Sequence, residues 1–406
     1  MSPTHLIPLF LFLLISPPFS YALSYLPNDP YFNYEGRWDK TSSSTTYRTD
    51  WPCARVTFGV SGEGDLNVKW RGIRVRLNAT VWDGEGNILG TEIVKAKSVG
   101  RDLKDEVLSI SVPEGATTVT IRRLTEGANF GAGIGEKLLT SSMWEFEGLS
   151  VGGSLSLSRP RVRRHYIEFI GASDTAGYCV DGDPSITGAR LYLDGWEYDN
   201  CDAGYPGILG YELDSDVGVA AEGGLGITRN APGEGRTTMR GYWNNQTLLT
   251  DPIPAWGGPE EGSRTPDVVV VSLGGNDYNH HRGHVPDDGD FVAAYGEFMM
   301  EIFKSYAGSP VQILSVCGQG SPAEAAYDPD NNRCSPCPHV EEAVSAFKDS
   351  VGGDYGDRVS YLFVPCDGSV VTGDGDIGCG GHKNRLGQGK VAEFVLPVVK
   401  GILEGM

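Results

Sequence analysis

The stretch that most constrains this chain is Tyr166-Ile-Glu-Phe-Ile-Gly-Ala-Ser-Asp-Thr-Ala-Gly177. Tyr166 to Ile170 is a run of β-branched and aromatic residues between a basic segment and a glycine, the pattern of a short interior strand. Gly171 breaks the strand into a tight turn, and Ser173 sits on that turn. A serine just past the carboxyl end of such a strand lies where open α/β sheets build their sites. Gly171 and Gly177 leave room for a sharp turn and for backbone N–H groups to face an anion. Taken alone, the pattern is equally that of an ordinary strand-to-helix turn, so its meaning depends on the rest of the chain.

At 406 residues the chain is long enough for two domains. Its formal charge of -20 argues against nucleic acid or an anionic membrane as partner and favours a neutral or cationic substrate. The same charge also serves solubility outside a cell. Residues 1–28 hold no Lys, Arg, Asp or Glu, and Leu6 to Ile15 is an apolar run too short to span a bilayer. Residues 1–22 therefore read as a signal peptide cleaved near Ala22, and the mature protein is expected to be secreted, extracellular and monomeric, with no membrane association. Eight cysteines fit an oxidising compartment. The preferred bridges are Cys179–Cys201 and Cys366–Cys379; Cys317 has Cys334 or Cys337 to pair with, and Cys53 has no evident partner. Asn78-Ala-Thr80 and Asn245-Gln-Thr247 are glycosylation sequons.

Residues 28–152 read as an all-β sandwich. Ile73, Val75, Leu77, Ala79 and Val81 alternate with polar residues, which gives one buried and one wet face and places Asn78 on the wet one. Further strands are expected at Val56–Val60, Leu66–Trp70, Val107–Val112, Val119–Leu124 and Trp144–Val151, with a turn over Trp82–Asn87. Trp38, Trp51 and Trp70 are candidates for a sugar platform, but core packing is the better reading. Residues 153–164 form the linker, a solvated basic connector rather than a processing site. From 165 to 406 strands alternate with helices. The strands are Tyr166–Ile170, Val217–Ala221, Asp267–Ser272, Val311–Val316 and Val359–Val364. Helical spacing runs through Phe291, Tyr295, Phe298 and Ile302, and again from Val391 to Ile402, where Pro397 should kink or end the helix. The pattern is that of a doubly wound parallel sheet.

Three more stretches bear on chemistry. Gly223-Gly-Leu-Gly226 follows the second strand and can present bare backbone N–H groups. Leu273-Gly-Gly-Asn-Asp-Tyr278 follows the third, and Asn276 there can aim its amide into the same crevice. Gly378-Cys-Gly-Gly-His382 precedes the last helix and brings His382 to the same sheet edge. Each alone is a common turn or cap. Together they form an ordered set of Ser, Gly, Asn and His that resembles the SGNH (GDSL-like) hydrolases. Glu35-Gly-Arg-Trp38, the jelly-roll-like N-terminal half, the Arg229-Asn230 pair and Pro266–Asp277 narrow the resemblance to the family 2 carbohydrate esterases, which include acetyl xylan esterases.

The resemblance covers the mature chain and implies a β-sandwich followed by an α/β SGNH catalytic domain, acting by acyl transfer. It implies Ser173 as nucleophile and His382 as base, with the N–H of Ser173, the N–H of Gly224 and the amide of Asn276 as oxyanion hole. No metal or organic cofactor is expected. The chain departs from the common pattern in having Ala172 before the serine, and Cys379 and Gly380 where an Asp usually precedes the histidine. The third member is therefore a backbone carbonyl near Ile377–Gly380, or the carboxylate of Asp376 or Asp374, with the carbonyl preferred. Other metal readings are weak: His280-His-Arg-Gly-His284 is a polar loop, and Cys334-Ser-Pro-Cys337 lacks a second pair. The expected activity is removal of acetyl groups from a polysaccharide or oligosaccharide. The alternatives are an SGNH lipase or thioesterase, or a non-catalytic carbohydrate-binding protein on the same fold.

Overall fold

A computed structural model describes residues 23–96, 103–129, 140–231, 237–250, 264–278, 285–318 and 334–406. The signal-peptide segment and the His280–His284 loop lie outside the described residues.

The N-terminal half is a sandwich of two antiparallel sheets. One sheet orders Leu23–Tyr25, Met143–Val151, Gly64–Ile73 and Lys104–Val112, with Tyr47–Thr49 also on Met143–Val151. The other orders Ser156–Ser158, Arg55–Ser61, Ala116–Arg123, Val75–Asp83 and Ile88–Ala96, with Asn33–Glu35 on Arg55–Ser61. The inward residues of alternate positions, among them Val56, Phe58, Val68, Leu77, Val81 and Ile121, share one core. Trp38 and Trp70 belong to that core and Trp51 to the core of the second domain, so none is a surface platform. The run from Ile73 to Val81 is broken at Arg74, whose positive φ of 45° separates two strands.

The sandwich is larger than expected. It takes in Leu23, which pairs with Val151, and Ser156–Ser158, which pairs with Gly59 to Ser61. The linker of 153–164 thus shortens to the residues after Ser158: the Ser-Leu-Ser alternation there buries Leu157 and edges the second sheet.

The second domain is a parallel five-stranded sheet in the order Ser215–Ala221, His165–Gly171, Val268–Ser272, Gln312–Gly318 and Val359–Val364. In chain order this is 2-1-3-4-5. Its direction of winding reverses beside the first strand, and the crevice at that reversal is where such sheets bind ligands. From Ile167 to Gly171 every residue of the first strand is buried, as a strand flanked on both sides and covered on both faces requires. Helix Arg385–Glu404 runs through Pro397 without ending there. Pro397 is exposed, so the carbonyl that loses its helical partner can be met by solvent.

The two domains are closely joined. Arg55 lies between Glu35 and Asp216, and Asp50 accepts from Leu249 N, Thr250 N and Thr250 Oγ1 at 2.9, 2.8 and 2.7 Å. Asn78 belongs to this junction: its amide donates to Asp202 Oδ2 at 2.7 Å and its oxygen is buried. The wet-face expectation for Asn78 fails because the second domain meets that face, where the Asn78 amide nitrogen is engaged by Asp202. Asn245 is exposed at the end of helix Met239–Asn245.

All eight cysteines pair, as Cys53–Cys201, Cys179–Cys379, Cys317–Cys337 and Cys334–Cys366. Both preferred bridges, Cys179–Cys201 and Cys366–Cys379, are therefore wrong. Cys201 faces the sandwich, where its N–H donates to Leu124 O beside Cys53, whose own N–H donates to Arg123 O. Cys179 instead faces the segment that carries His382, which claims Cys379. Short separations along the chain suggested local loops, and the wrapping of two domains around one edge replaced them with long ones.

Candidate active site

Ser173 opens a single helical turn, Ser173–Ala176, at the end of the first strand. The turn is tight because Gly171 lacks a Cβ, which would run into the Thr175 side chain. The N–H of Ser173 is among the first groups of that turn and has no carbonyl within the helix to meet. His382 reaches it from the other end of the domain. Ser173 Oγ and His382 Nε2 are 2.8 Å apart.

The other ring nitrogen fixes the proton. His382 Nδ1 lies 2.9 Å from the carbonyl oxygen of Gly380, which can only accept. Nδ1 therefore carries the hydrogen, and Nε2 is left as an acceptor for the Ser173 hydroxyl. Gly380 turns its carbonyl back on the ring by adopting a φ of +60°, where a side chain would be strained. Asp376 is occupied elsewhere: its Oδ2 accepts from Thr372 N, Thr372 Oγ1 and Lys390 Nζ at 2.7, 2.8 and 2.7 Å. Burial pushes its carboxyl up, but the Lys390 and Thr372 bonds outweigh that and hold it below the usual carboxylate range. Of the third members considered, Gly380 brings its carbonyl to the ring and Asp376 is engaged by Thr372 and Lys390, while the Asp374 side chain lies outside the described residues.

Gly224 and Asn276 line the same cavity, of about 380 Å³, with Ser173 and His382. One hydrogen of the Asn276 amide goes to Leu225 O at 2.8 Å, which ties the third-strand turn to the glycine loop and orients the rest of the amide. Asp277 completes that tie. It is fully buried and accepts from the N–H groups of Ile227, Thr228 and Arg229. Burial pushes its carboxyl up, against the pull of these hydrogen bonds.

Several contributors were not legible in advance. Asp174, next to the serine, pairs at 2.9 Å with Lys383, next to the histidine, and so joins the two segments. Neighbourhood to Ser173 and His382 was the one available signal. Gln388 Nε2 donates to Asp174 O at 3.1 Å from the last helix. The ring of Tyr178 meets His382 edge to face at 4.8 Å. Glu126 enters the cavity from the sandwich, and nothing in the sequence relates residue 126 to residue 223. Among the described residues no cluster of His, Cys, Asp and Glu is arranged to hold a metal, and Cys334 and Cys337 are both in disulfides.

The arrangement can take a proton from Ser173 Oγ onto His382 Nε2 while backbone N–H groups and an amide face the product of attack. Sequence comparison finds no matching family model. The chain is 26% identical over 272 residues to the cellulase/esterase CelE of Acetivibrio thermocellus, a match covering 61% of this chain and 29% of that protein. Among solved structures, a family two carbohydrate esterase from Clostridium thermocellum in complex with cellohexaose is 21% identical with a TM-score of 0.69, over 92% of this chain and 100% of that one. A family two carbohydrate esterase from Cellvibrio japonicus is 15% identical with a TM-score of 0.72, over 95% and 99%. These likenesses run through both domains. The chain has the two-domain fold of the family 2 carbohydrate esterases.

Proposed function

We propose that this protein is a carbohydrate O-acetyl esterase, exported by its N-terminal segment, that removes acetyl groups from a polysaccharide or its oligomers by a serine acyl-enzyme mechanism. The observation that carries the reading is the 2.8 Å contact between Ser173 Oγ and His382 Nε2 inside a cavity that Gly224 and Asn276 also line. A serine hydroxyl is a poor nucleophile unless a base takes its proton as it attacks. His382 takes it on Nε2 while Ser173 Oγ bonds to the ester carbonyl carbon. The carbonyl oxygen becomes an oxyanion, received by the N–H groups of Ser173 and Gly224 and the amide of Asn276, each such donor typically worth about 3 kcal/mol of barrier. The C–O bond to the sugar then breaks, and Nε2–H returns the proton to the leaving sugar hydroxyl. Water repeats the sequence on the acyl-enzyme: its proton passes to Nε2, the C–Oγ bond breaks and acetate leaves as Ser173 regains its hydrogen.

The four disulfides suit an oxidising compartment, and no helix among the described residues is long and apolar enough to cross a membrane. Acetate release from acetylated xylan and acetylated glucomannan, beside hydrolysis of a long-chain 4-nitrophenyl ester, tests the assignment. Release from either polysaccharide with little long-chain activity is expected. Long-chain preference would favour the lipase reading, and binding without release the non-catalytic one.

A further inference from the structure

Ser173 and His382 come from opposite ends of the α/β domain, and the segments that carry them are tied together beside the reacting atoms. Lys383, the residue after the histidine, donates from Nζ to Asp174 Oδ2 at 2.9 Å, and Asp174 is the residue after the serine. The Lys383 side chain is only 1% exposed, so this bond lies out of water, where a charged hydrogen bond keeps its strength. A second hold comes from helix Arg385–Glu404, which starts just beyond Lys383. Gln388, on its first turn and fully buried, donates through Nε2 to Asp174 O at 3.1 Å and accepts from Tyr205 N through Oε1 at 3.0 Å. Tyr205 Oη in turn lies 2.9 Å from Thr175 Oγ1. The start of one helix thus grips the serine turn by side chain and by main chain.

Asp174 and Thr175 line the cavity, while Lys383 and Gln388 are not among its described lining residues. Whatever these two do for the reaction passes through the serine turn. In the free protein the Ser173 hydroxyl donates to His382 Nε2 at 2.8 Å, and that bond itself helps hold the pair together. Acylation removes it. The serine proton leaves with the sugar hydroxyl by way of Nε2, and Oγ becomes bonded to the acyl carbon. The ring keeps its other hydrogen on Nδ1, facing Gly380 O. Oγ and Nε2 then face each other as two acceptors with no hydrogen between them. Yet the second half of the reaction needs Nε2 in place, to take a proton from the water that attacks the acyl carbon. The Gly380 bond orients the ring on its own loop and does not reach the serine. The Lys383 and Gln388 bonds do reach the serine turn, and acylation leaves them intact because neither uses the Ser173 hydroxyl. The disulfide Cys179–Cys379 joins the same segments farther from the serine, beyond the end of its helical turn at Gly177.

We propose that Lys383 and Gln388 are positioning residues for deacylation, which keep His382 in register with the serine turn once the acyl group has removed the Ser173–His382 hydrogen bond. The proposal rests on the serine esterase reading above and goes beyond it by assigning the start of the last helix to one half of the reaction.

The test uses the whole protein and 4-nitrophenyl acetate. Release of 4-nitrophenol in a single turnover, with protein in excess, gives the acylation rate. Steady-state turnover divided by the acetylated fraction of the protein, read by acid quench and intact mass, gives the deacylation rate. Lys383→Met should lower the deacylation rate by at least about thirtyfold and the acylation rate by less than about threefold, so that acetyl-enzyme accumulates. Gln388→Met should bias the two steps in the same sense, by at least about fivefold. A general loosening of the fold would slow both steps alike, and an equal fall in both rates overturns the proposal, as does an unchanged deacylation rate. If Lys383→Met does not fold, Gln388→Met decides on the same two rates. If neither variant folds, the two bonds serve the fold alone and the proposal is overturned. Failure of wild type to release 4-nitrophenol overturns the esterase reading and this proposal with it, whereas a normal wild type beside an unbiased variant overturns this proposal alone.

Discussion

His382 Nδ1 donates to the carbonyl oxygen of Gly380 at 2.9 Å, two residues back along the same chain. The histidine is therefore held in one tautomer by a main-chain carbonyl of its own loop. A main-chain carbonyl sets the tautomer as a carboxylate does, but it brings no full charge to balance the imidazolium that forms during attack. In enzymes built around a carboxylate, losing it can lower the rate about 10⁴-fold. Here the ring, the serine and the carbonyl already meet.

The first consequence concerns Asp376. Its carboxylate braces the turn before the histidine loop through Thr372 and reaches the last helix through Lys390. Asp376→Asn should lower stability by about 1 kcal/mol, since the Lys390 end is partly exposed. It should leave kcat/KM within about tenfold of wild type. Steady-state kinetics with a parallel urea titration checks both. A thousandfold loss with folding intact would mean that Asp376 reaches His382 during turnover and that the histidine is not held by Gly380 alone.

The second concerns Cys179–Cys379. Cys379 begins the short turn Cys379–Gly381 that delivers His382, and Cys179 follows the serine helix. The bridge thus staples the nucleophile segment to the base segment. Replacing both cysteines by serine should cost about 2–4 kcal/mol. It should also lower kcat by more than KM changes, because a displacement of about 1 Å between paired groups can cost about a hundredfold. Kinetics compared with the Tm of the same variant tests this: activity should fall at temperatures well below unfolding. Unchanged kcat in a folded double variant would show that the His382 loop needs no staple.

The third concerns Asp199, which is fully buried under the domain junction and accepts from Cys179 N and Glu126 N. Burial pushes its carboxyl from 3.8 up to about 7, against the pull of those N–H bonds. The folded state therefore binds more protons than the unfolded chain between those values. Stability from neutral Asp199 is fully present below the unfolded value and is lost as pH rises through about 7. Asp199→Asn stays neutral throughout, so its Tm should fall less than that of wild type between about pH 5 and about pH 8. Differential scanning calorimetry of both proteins measures the difference. Parallel pH profiles would contradict the assignment.

How much of this was legible in the sequence depended on what kind of contact made each feature. Strands announced themselves because a buried strand must be apolar along its length: Val268–Ser272 and Val359–Val364 stand close to where the pattern of valines puts them. The order of Ser173, Gly224, Asn276 and His382 was readable because each follows a strand or precedes a helix at one sheet edge. The disulfides were not readable, since Cys53–Cys201 and Cys179–Cys379 join residues separated by 148 and 200 positions, and spacing says nothing about such closures. Asn78 failed for a related reason. Alternation told which of its neighbours faced the sandwich core, but not that a second domain covers the opposite face. Glu126 could be placed only once the sandwich was docked.

The central claim is that Ser173 is the nucleophile, with His382 as its base. Acetate release from 4-nitrophenyl acetate and from the preferred acetylated oligosaccharide, by wild type and by Ser173→Ala, tests it most directly. The variant removes one oxygen and breaks no contact that the core depends on, so its circular dichroism and Tm should match those of wild type. Its kcat should fall by at least about a thousandfold on both substrates. Retention of more than about a tenth of wild-type activity in the folded variant would contradict the account, because a serine that is acylated and released in every cycle cannot be dispensed with at that cost.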